Sequence, residues 1–296
     1  MPQDNDDFWN IALSEESVND ASFQNQDEDE DVDDEEDYYD SKEISAVAKF
    51  TKYHLPTTDV TLRLQSLPST DGVWSPLGAD AWYASALLAS LLLTTTTNIE
   101  DDNNDHDDYV VLELGSGAVG LSGLACAVAL ANQMKKSMTK AKVILTDNDA
   151  TVLKALQRNV ETNREAILAL CDTVQVEVQH LDWKDGFHSL GSSPLDLVIG
   201  SELVYTKDTA IALCHLLEEL LMDNNHQRLK ICVVQVTDRF GWLDIVLPHL
   251  ESIDGVTIRS ESISSDIHDL ACTMIPMGGT LDRHAYGAVW IQRGPE

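Results

Sequence analysis

The stretch from Tyr109 to Leu121, Tyr-Val-Val-Leu-Glu-Leu-Gly-Ser-Gly-Ala-Val-Gly-Leu, constrains the fold more than any other part of this sequence. A short apolar run ends in glycines, and a run rich in small residues, 119–134, follows at once. The first reads as a buried strand and the second as a helix. Gly115, Gly117 and Gly120 then form a Gly-x-Gly-x-x-Gly turn between the two. Without Cβ atoms, such positions let the backbone turn tightly and approach a ligand closely. Taken alone, the turn suits a nicotinamide, a flavin or S-adenosylmethionine, and a tight turn with no ligand is the plain alternative.

The alternation continues downstream. Strands are expected over 142–146, 174–181, 195–200 and 229–236, and helices over 150–163, 209–222 and 241–250, with Val152, Leu153, Leu156 and Val160 sharing one helical face. Upstream, Val60, Leu62 and Leu64 alternate with polar residues as in a strand, and a helix is expected over 79–93. Strands at 256–263 and 286–292 close the chain. The segment 264–283 is rich in Gly, Ser and Asp and is expected to contain no helix, which makes the last two strands an antiparallel pair. The expected fold is α/β: a Rossmann-like, doubly wound, mostly parallel seven-stranded sheet with helices on both faces and an antiparallel edge strand near the C-terminus. Such sheets bind ligands beyond the carboxyl ends of their strands.

Charge divides the chain of 296 residues. Its formal charge is −32, yet residues 1–43 hold 18 acids against one base, Lys42, and 100–108 hold six acids and no base. Residues 1–45 are therefore expected to be a disordered acidic tail, 46–296 a single domain with an N-terminal extension over 46–93, and 94–108 an acidic loop insertion. An acidic surface disfavours direct nucleic-acid binding and favours a basic protein partner, although such a tail can also serve solubility alone. Cys126, Cys171, Cys214, Cys232 and Cys272 are widely spaced, which suggests reduced thiols rather than a zinc site or disulfides. The N-terminus lacks a secretory pattern, and the apolar run 84–93 is shorter than the roughly 20 residues that span a bilayer. A cytoplasmic monomer, also nuclear, with no membrane association is expected.

Three further strand ends carry candidate chemistry. Asp147, beside Asn148, closes the second strand of the alternation and can accept from ribose hydroxyls; its alternative is a helix cap, a role that fits Asp149 better. Asp182-Trp183 offers an acceptor for an adenine amine and an indole to pack on its ring, or a plain packed Trp. Ser201-Glu-Leu-Val-Tyr205 follows the next strand, where Glu202 and Tyr205 can hold an amine or imidazole, or Glu202 can cap the next helix. Arg239 borders the same region or makes a surface ion pair. His180 and His188 are read as ordinary histidines, and no metal site is expected.

Together, Glu-Leu-Gly-Ser-Gly-x-x-Gly-Leu at 113–121, Leu-Thr-Asp at 145–147, Leu153-x-x-Leu156-x-x-Asn159, Leu-Asp-Trp at 181–183 and Ser-Glu-Leu-Val-Tyr at 201–205 resemble the class I, seven-β-strand S-adenosylmethionine-dependent protein methyltransferases, and within them the lysine-methyltransferase-like group. Val73-Trp74 resembles that group's entry Trp. The resemblance runs over about 58–293 and implies S-adenosyl-L-methionine as cofactor. It implies that Trp74, Glu113, Gly115, Ser116, Gly117, Asp147, Asn148, Asp182, Trp183 and Ser201 line the cofactor and that Glu202 and Tyr205 form the catalytic acid-x-x-Tyr pair. The usual acid there is Asp, and some histidine-methylating relatives also carry Ser-Glu-x-x-Tyr. The resemblance implies N-methylation of a protein side chain, lysine first, with histidine or a small-molecule acceptor as alternatives. An NAD-dependent dehydrogenase would leave Leu-Asp-Trp and Ser-Glu-Leu-Val-Tyr without a role; a non-catalytic scaffold would leave the intact glycine turn and Asp147 without one.

Overall fold

The chain begins its described course as a hairpin, β1 (Thr51–His54) and β2 (Thr61–Leu64), paired antiparallel. This computed structural model describes residues 50–67, 78–95, 108–134, 140–191, 193–275 and 285–294, all within the unit Val47–Glu296. The acidic tail, Trp74 and nearly all of the expected acidic insertion lie outside the described residues. After the hairpin come α1 (Tyr83–Thr95), β3 (Asp108–Leu114), α2 (Leu121–Met134), β4 (Lys140–Asp147), α3 (Ala150–Leu168), β5 (Val174–His180), β6 (Leu197–Ser201), α4 (Lys207–Met222) and β7 (Lys230–Val236). The chain closes through α5 (Leu247–Glu251), β8 (Val256–Ser262), α6 (Ser265–Met274) and β9 (Tyr286–Arg293).

Seven of these strands form one sheet in the order β5-β4-β3-β6-β7-β9-β8. The pairs β3–β4, β4–β5, β3–β6 and β6–β7 are parallel; β9 runs antiparallel to both β7 and β8. This is the expected Rossmann-like architecture, with its antiparallel strand one place in from the β8 edge. Successive residues of β3 serve opposite faces, as the strand period requires. Val111 joins the core beneath α1, α2, α3 and α6, whereas Val110, Leu112 and Leu114 join the core beneath α4 and α5.

Two expectations change. The segment 264–283 does contain a helix, α6, which Ser264 caps by accepting from Ile267 N at 3.4 Å. Ile267, His268, Ala271 and Met274 bury one face of it, so the apolar period outweighs the polar composition. The helix expected over 241–250 is interrupted: Trp242–Val246 forms a π-helical turn, with Val246 N donating to Gly241 O, before α5. Pro248, which has no N–H for an i→i−4 bond, sits in the first turn of α5.

The hairpin docks on α3 through two asparagines. Asn159 Oδ1 accepts from Gln65 N and its Nδ2 donates to Gln65 O; Asn163 does the same with Arg63 N and O, all at 2.8–2.9 Å. Four residues of helix rise about 6 Å and two residues of strand about 6.6 Å, so side chains at i and i+4 match backbone groups at j and j−2. Each carboxamide thus completes a strand ladder from a helix. Asn159 Nδ2 also donates to Ala118 O at 2.8 Å, which ties the hairpin to the glycine turn. Replacing Asn159 with Leu leaves these backbone groups unpaired, and each buried unpaired group costs about 1–3 kcal/mol. Urea unfolding of Asn159→Leu is expected to show a loss of roughly 2–4 kcal/mol; an unchanged midpoint contradicts this account of the clasp.

Candidate active site

The glycine turn is held from two sides. Gly115 and Gly117 adopt φ of 59° and 63°, in the left-handed region. Gly117 N donates to Asp147 Oδ2 at 3.1 Å, and Ala118 N donates to Gly78 O at 2.7 Å. A Cβ on Gly117 would lie 2.9 Å from Gly78 O, so no larger residue fits between the turn and the segment leading into α1. Ser116 bonds both backbone groups of Thr146: its N donates to Thr146 O at 2.7 Å, and its Oγ accepts from Thr146 N at 3.1 Å. Asp147 Oδ1 accepts from Asn148 N and Asp149 N at 2.9 and 3.1 Å. Burial raises the Asp147 pKa, and these three N–H groups oppose the shift. Asp149 caps α3, accepting from Thr151 N and Val152 N.

Glu113 lies beneath this turn and does not line its cleft. A Cβ on Gly123 would collide with the Glu113 carboxyl and with Leu145, so α2 sits directly over the acid. Burial raises the Glu113 pKa; the Ser122 and Ser116 hydroxyls and the Gly123 N–H offset it only in part. The geometry makes Glu113 a support for the turn rather than a wall of the cleft.

The loop after β6 supplies the other side. Glu202 is a non-glycine residue at φ 51°, a conformation that persists only when its surroundings hold it. Glu202 N donates to Val234 O at 3.0 Å, and Leu203 N donates to Gln235 Oε1 at 3.1 Å. The Glu202 side chain is 3% exposed; Oε1 accepts from Val236 N at 2.8 Å, and Oε2 pairs with the Arg239 guanidinium. Burial raises its pKa, opposed by Arg239 and the Val236 N–H. Tyr205 lines the cleft, with Arg239 over its ring at 5.4 Å and Trp82 edge-on at 6.1 Å. Burial first, then the Glu202 charge, push its phenol up to about 12, so it stays neutral at ordinary pH.

Gly115, Ser116, Gly117, Ser122, Ser201 and Tyr205 share one cleft with Gly78, Asp80, Trp82 and Ser85. Trp183 approaches from its other side, 3.6 Å from where a Cβ on Gly115 would sit. Asp182 accepts from Lys184 N at 3.0 Å and caps a single 3₁₀ turn, Trp183–Asp185. Asn148 is exposed at the end of β4. Trp82 carries no role in the sequence reading, which starts the helix at residue 79 and so places Trp82 inside it. The helix begins at Tyr83, and Trp82, 42% exposed, stands at the cleft's lip. Glycine positions, serines, carboxylates and rings of this kind fit a ligand combining a nucleoside, a zwitterionic amino-acid group and a sulfonium. Among the described residues, no group of three or more His, Cys, Asp or Glu side chains is placed to hold a metal ion, and no helix is long and apolar enough to cross a membrane.

A sequence profile described as lysine methyltransferase matches residues 66–239, more than half of the chain. The human protein-lysine N-methyltransferase EEF2KMT is 34% identical over 134 residues, which span 44% of this chain and 38% of that relative. The match therefore covers well under two thirds of the relative's length. A methyltransferase from Pyrococcus furiosus superposes with a TM-score of 0.42 at 16% identity, over 75% of this chain and 88% of that one. The human methyltransferase 10 domain containing protein superposes with a TM-score of 0.40 at 11% identity, over 75% and 88%.

The raised Glu113 pKa has a consequence for stability. Its protonated form is favoured by folding, so the stabilisation is full below the unfolded value near 4.5 and is lost as pH rises through the higher folded value. Urea midpoints of the wild type and Glu113→Gln at pH 5 and pH 8 are expected to diverge, with the Gln variant relatively more stable at pH 8. A gap independent of pH, or one moving the other way, contradicts the assignment.

Proposed function

The chain belongs to the lysine methyltransferase family, and we propose that it transfers a methyl group from S-adenosylmethionine to a side-chain nitrogen of a protein, with lysine as the acceptor. The observation that carries this reading is the meeting of two loops in one cleft, the glycine turn after β3 and the Ser201–Tyr205 loop after β6. The family description and the name of the human relative support the choice of lysine.

When bound, S-adenosylmethionine supplies an electrophilic methyl on a sulfonium. The chain's own residues bind and orient. The turn at 115–117 and Ser116 would receive the amino-acid end, Asp147 the ribose hydroxyls, and Asp182 with Trp183 the base. A lysine must be neutral to attack, and its reference pKa is about 10.4. The neutral Tyr205 phenol is no general base, so the proton leaves to water before the attack. The neutral nitrogen would then take the methyl, its new N–C bond replacing the donor's S–C bond. Catalysis rests on alignment and on excluding water, effects that reach about 7–11 kcal/mol in well-oriented systems. The net charge of −32 suits a basic protein substrate.

Incubation with methyl-labelled S-adenosylmethionine and a cell extract is expected to label a protein, and hydrolysis of that protein is expected to yield methyl-lysine. Methylhistidine instead, or label confined to small molecules, overturns the acceptor assignment. Calorimetric titration is expected to show cofactor binding by the wild type and none by Gly115→Arg, because the side chain would enter the cleft between Leu203 and Trp183 from a φ of 59°. Undiminished binding by that variant would place the cofactor elsewhere.

A further inference from the structure

Arg239 follows β7 and joins the two residues on which the acceptor side depends. Its guanidinium pairs with Glu202, and its Cζ stands 5.4 Å from the Tyr205 ring centroid. We propose that Arg239 is a positioning residue for methyl transfer: it takes up the Glu202 carboxylate and sets its cation over the Tyr205 ring, so that Tyr205 rather than Glu202 meets the acceptor nitrogen. This rests on reading the cleft as an acceptor site.

Glu202 is turned into the protein rather than toward the cleft. Oε1 accepts from Val236 N at 2.8 Å and from Gln235 Nε2 at 3.4 Å, Oε2 faces the guanidinium, and the residue is 3% exposed. Ser201 and Tyr205 line the cleft; Glu202 between them does not. The pair is no ordinary surface ion pair, since one partner is buried. Removing one member of such a pair leaves an uncompensated charge, whereas removing both does not. The second contact sets the guanidinium over the Tyr205 ring. A guanidinium stacks on an aromatic face, and an ammonium of similar charge does not reproduce that geometry. Trp82 meets Tyr205 edge-on, so the ring is held between a cation fixed by β7 and an indole fixed by the start of α1.

The test compares the wild type with Arg239→Gln, Arg239→Lys, Glu202→Gln and the Glu202→Gln/Arg239→Gln double variant. Two quantities are read: calorimetric affinity for S-adenosylmethionine, and the initial rate of tritium transfer from it into protein of a cell extract. Cofactor affinity is expected to stay within about twofold throughout, while Arg239→Gln loses about tenfold or more in transfer rate, as misplacement at a reacting centre does. Glu202→Gln, which keeps the Val236 contact, loses less. The double variant is faster than Arg239→Gln alone, and Arg239→Lys lies between Arg239→Gln and the wild type. Wild-type transfer by Arg239→Gln overturns the proposal. So does loss of transfer in Glu202→Gln with Arg239→Gln active, which would return the acceptor to Glu202. Should Arg239→Gln not fold, Arg239→Lys decides alone: reduced transfer with intact cofactor affinity supports the role, and wild-type transfer rejects it. If the wild type itself labels no protein, the functional reading fails and urea unfolding judges the clamp: a double variant more stable than Arg239→Gln supports it, and equal stabilities reject it.

Discussion

Asp147 ends β4 with its carboxylate on three backbone N–H groups, those of Gly117, Asn148 and Asp149, and the whole cofactor side of the cleft hangs on that arrangement. The bond to Gly117 draws the turn after β3 toward β4. The bond to Asp149 orients the residue that caps α3. From α3, Asn159 reaches back to Ala118 O and outward to the hairpin, while Gly78 O receives the Ala118 N–H from the other side. Three separate segments, the end of β4, α3 and the stretch at Gly78, therefore converge on residues 116–118. The crowding leaves no room for a Cβ at Gly117, so glycine there is a requirement of packing as much as of ligand approach.

The acceptor side solves the opposite problem. β3 and β6 are neighbours, yet the chain leaves β3 toward β4 and leaves β6 toward β7, so the loops diverge and open a crevice at the carboxyl ends. On one side the backbone is relaxed by glycines. On the other, Glu202 holds a left-handed conformation that costs of order 1–3 kcal/mol and needs support from outside the loop. Gln235, Val236 and Arg239 supply it, all from the end of β7. β7 is thus the platform on which the acceptor loop is set, although none of these three residues lines the cleft itself.

Much of this was legible in the sequence, and the reasons are local. The sheet and its order of elements followed from periods of two and of three to four residues, which read out burial directly. The cap at Asp149 followed from its place before an apolar helix. Contacts between distant segments were not legible. Asn159 belonged to a recognisable pattern, but its work is to mimic a strand edge for Arg63 and Gln65, some 94 to 100 residues away. Glu202 reads as an acceptor for a substrate nitrogen or as a helix cap, because nothing in the run 201–205 reveals a counter-charge that follows β7; Thr206 caps α4 instead. Trp82 was hidden by a helix start placed a turn too early, and α6 by a composition that masked a short apolar stripe. Trp74 lies outside the described residues, so its expected role is untouched.

The distribution of charge around the cleft fits the chemistry proposed for it. Glu113 and Glu202 are buried acids and Asp147 a half-buried one, and burial raises the pKa of all three. At the turn, Glu113 and Asp147 have no basic side chain among the groups that shift them, so burial makes both hold their protons more tightly than an exposed carboxyl does. At the acceptor end, Arg239 cancels Glu202. That difference matters because an opposite charge nearby favours the ionised form of an amine. A free carboxylate beside the acceptor would bind a lysine ammonium more tightly and hold its proton on, making it a poorer nucleophile. A carboxylate already paired with arginine does neither. In the reaction proposed, it would keep the loop in its left-handed shape and leave the nitrogen to Tyr205 and Trp82, neither of which carries a charge.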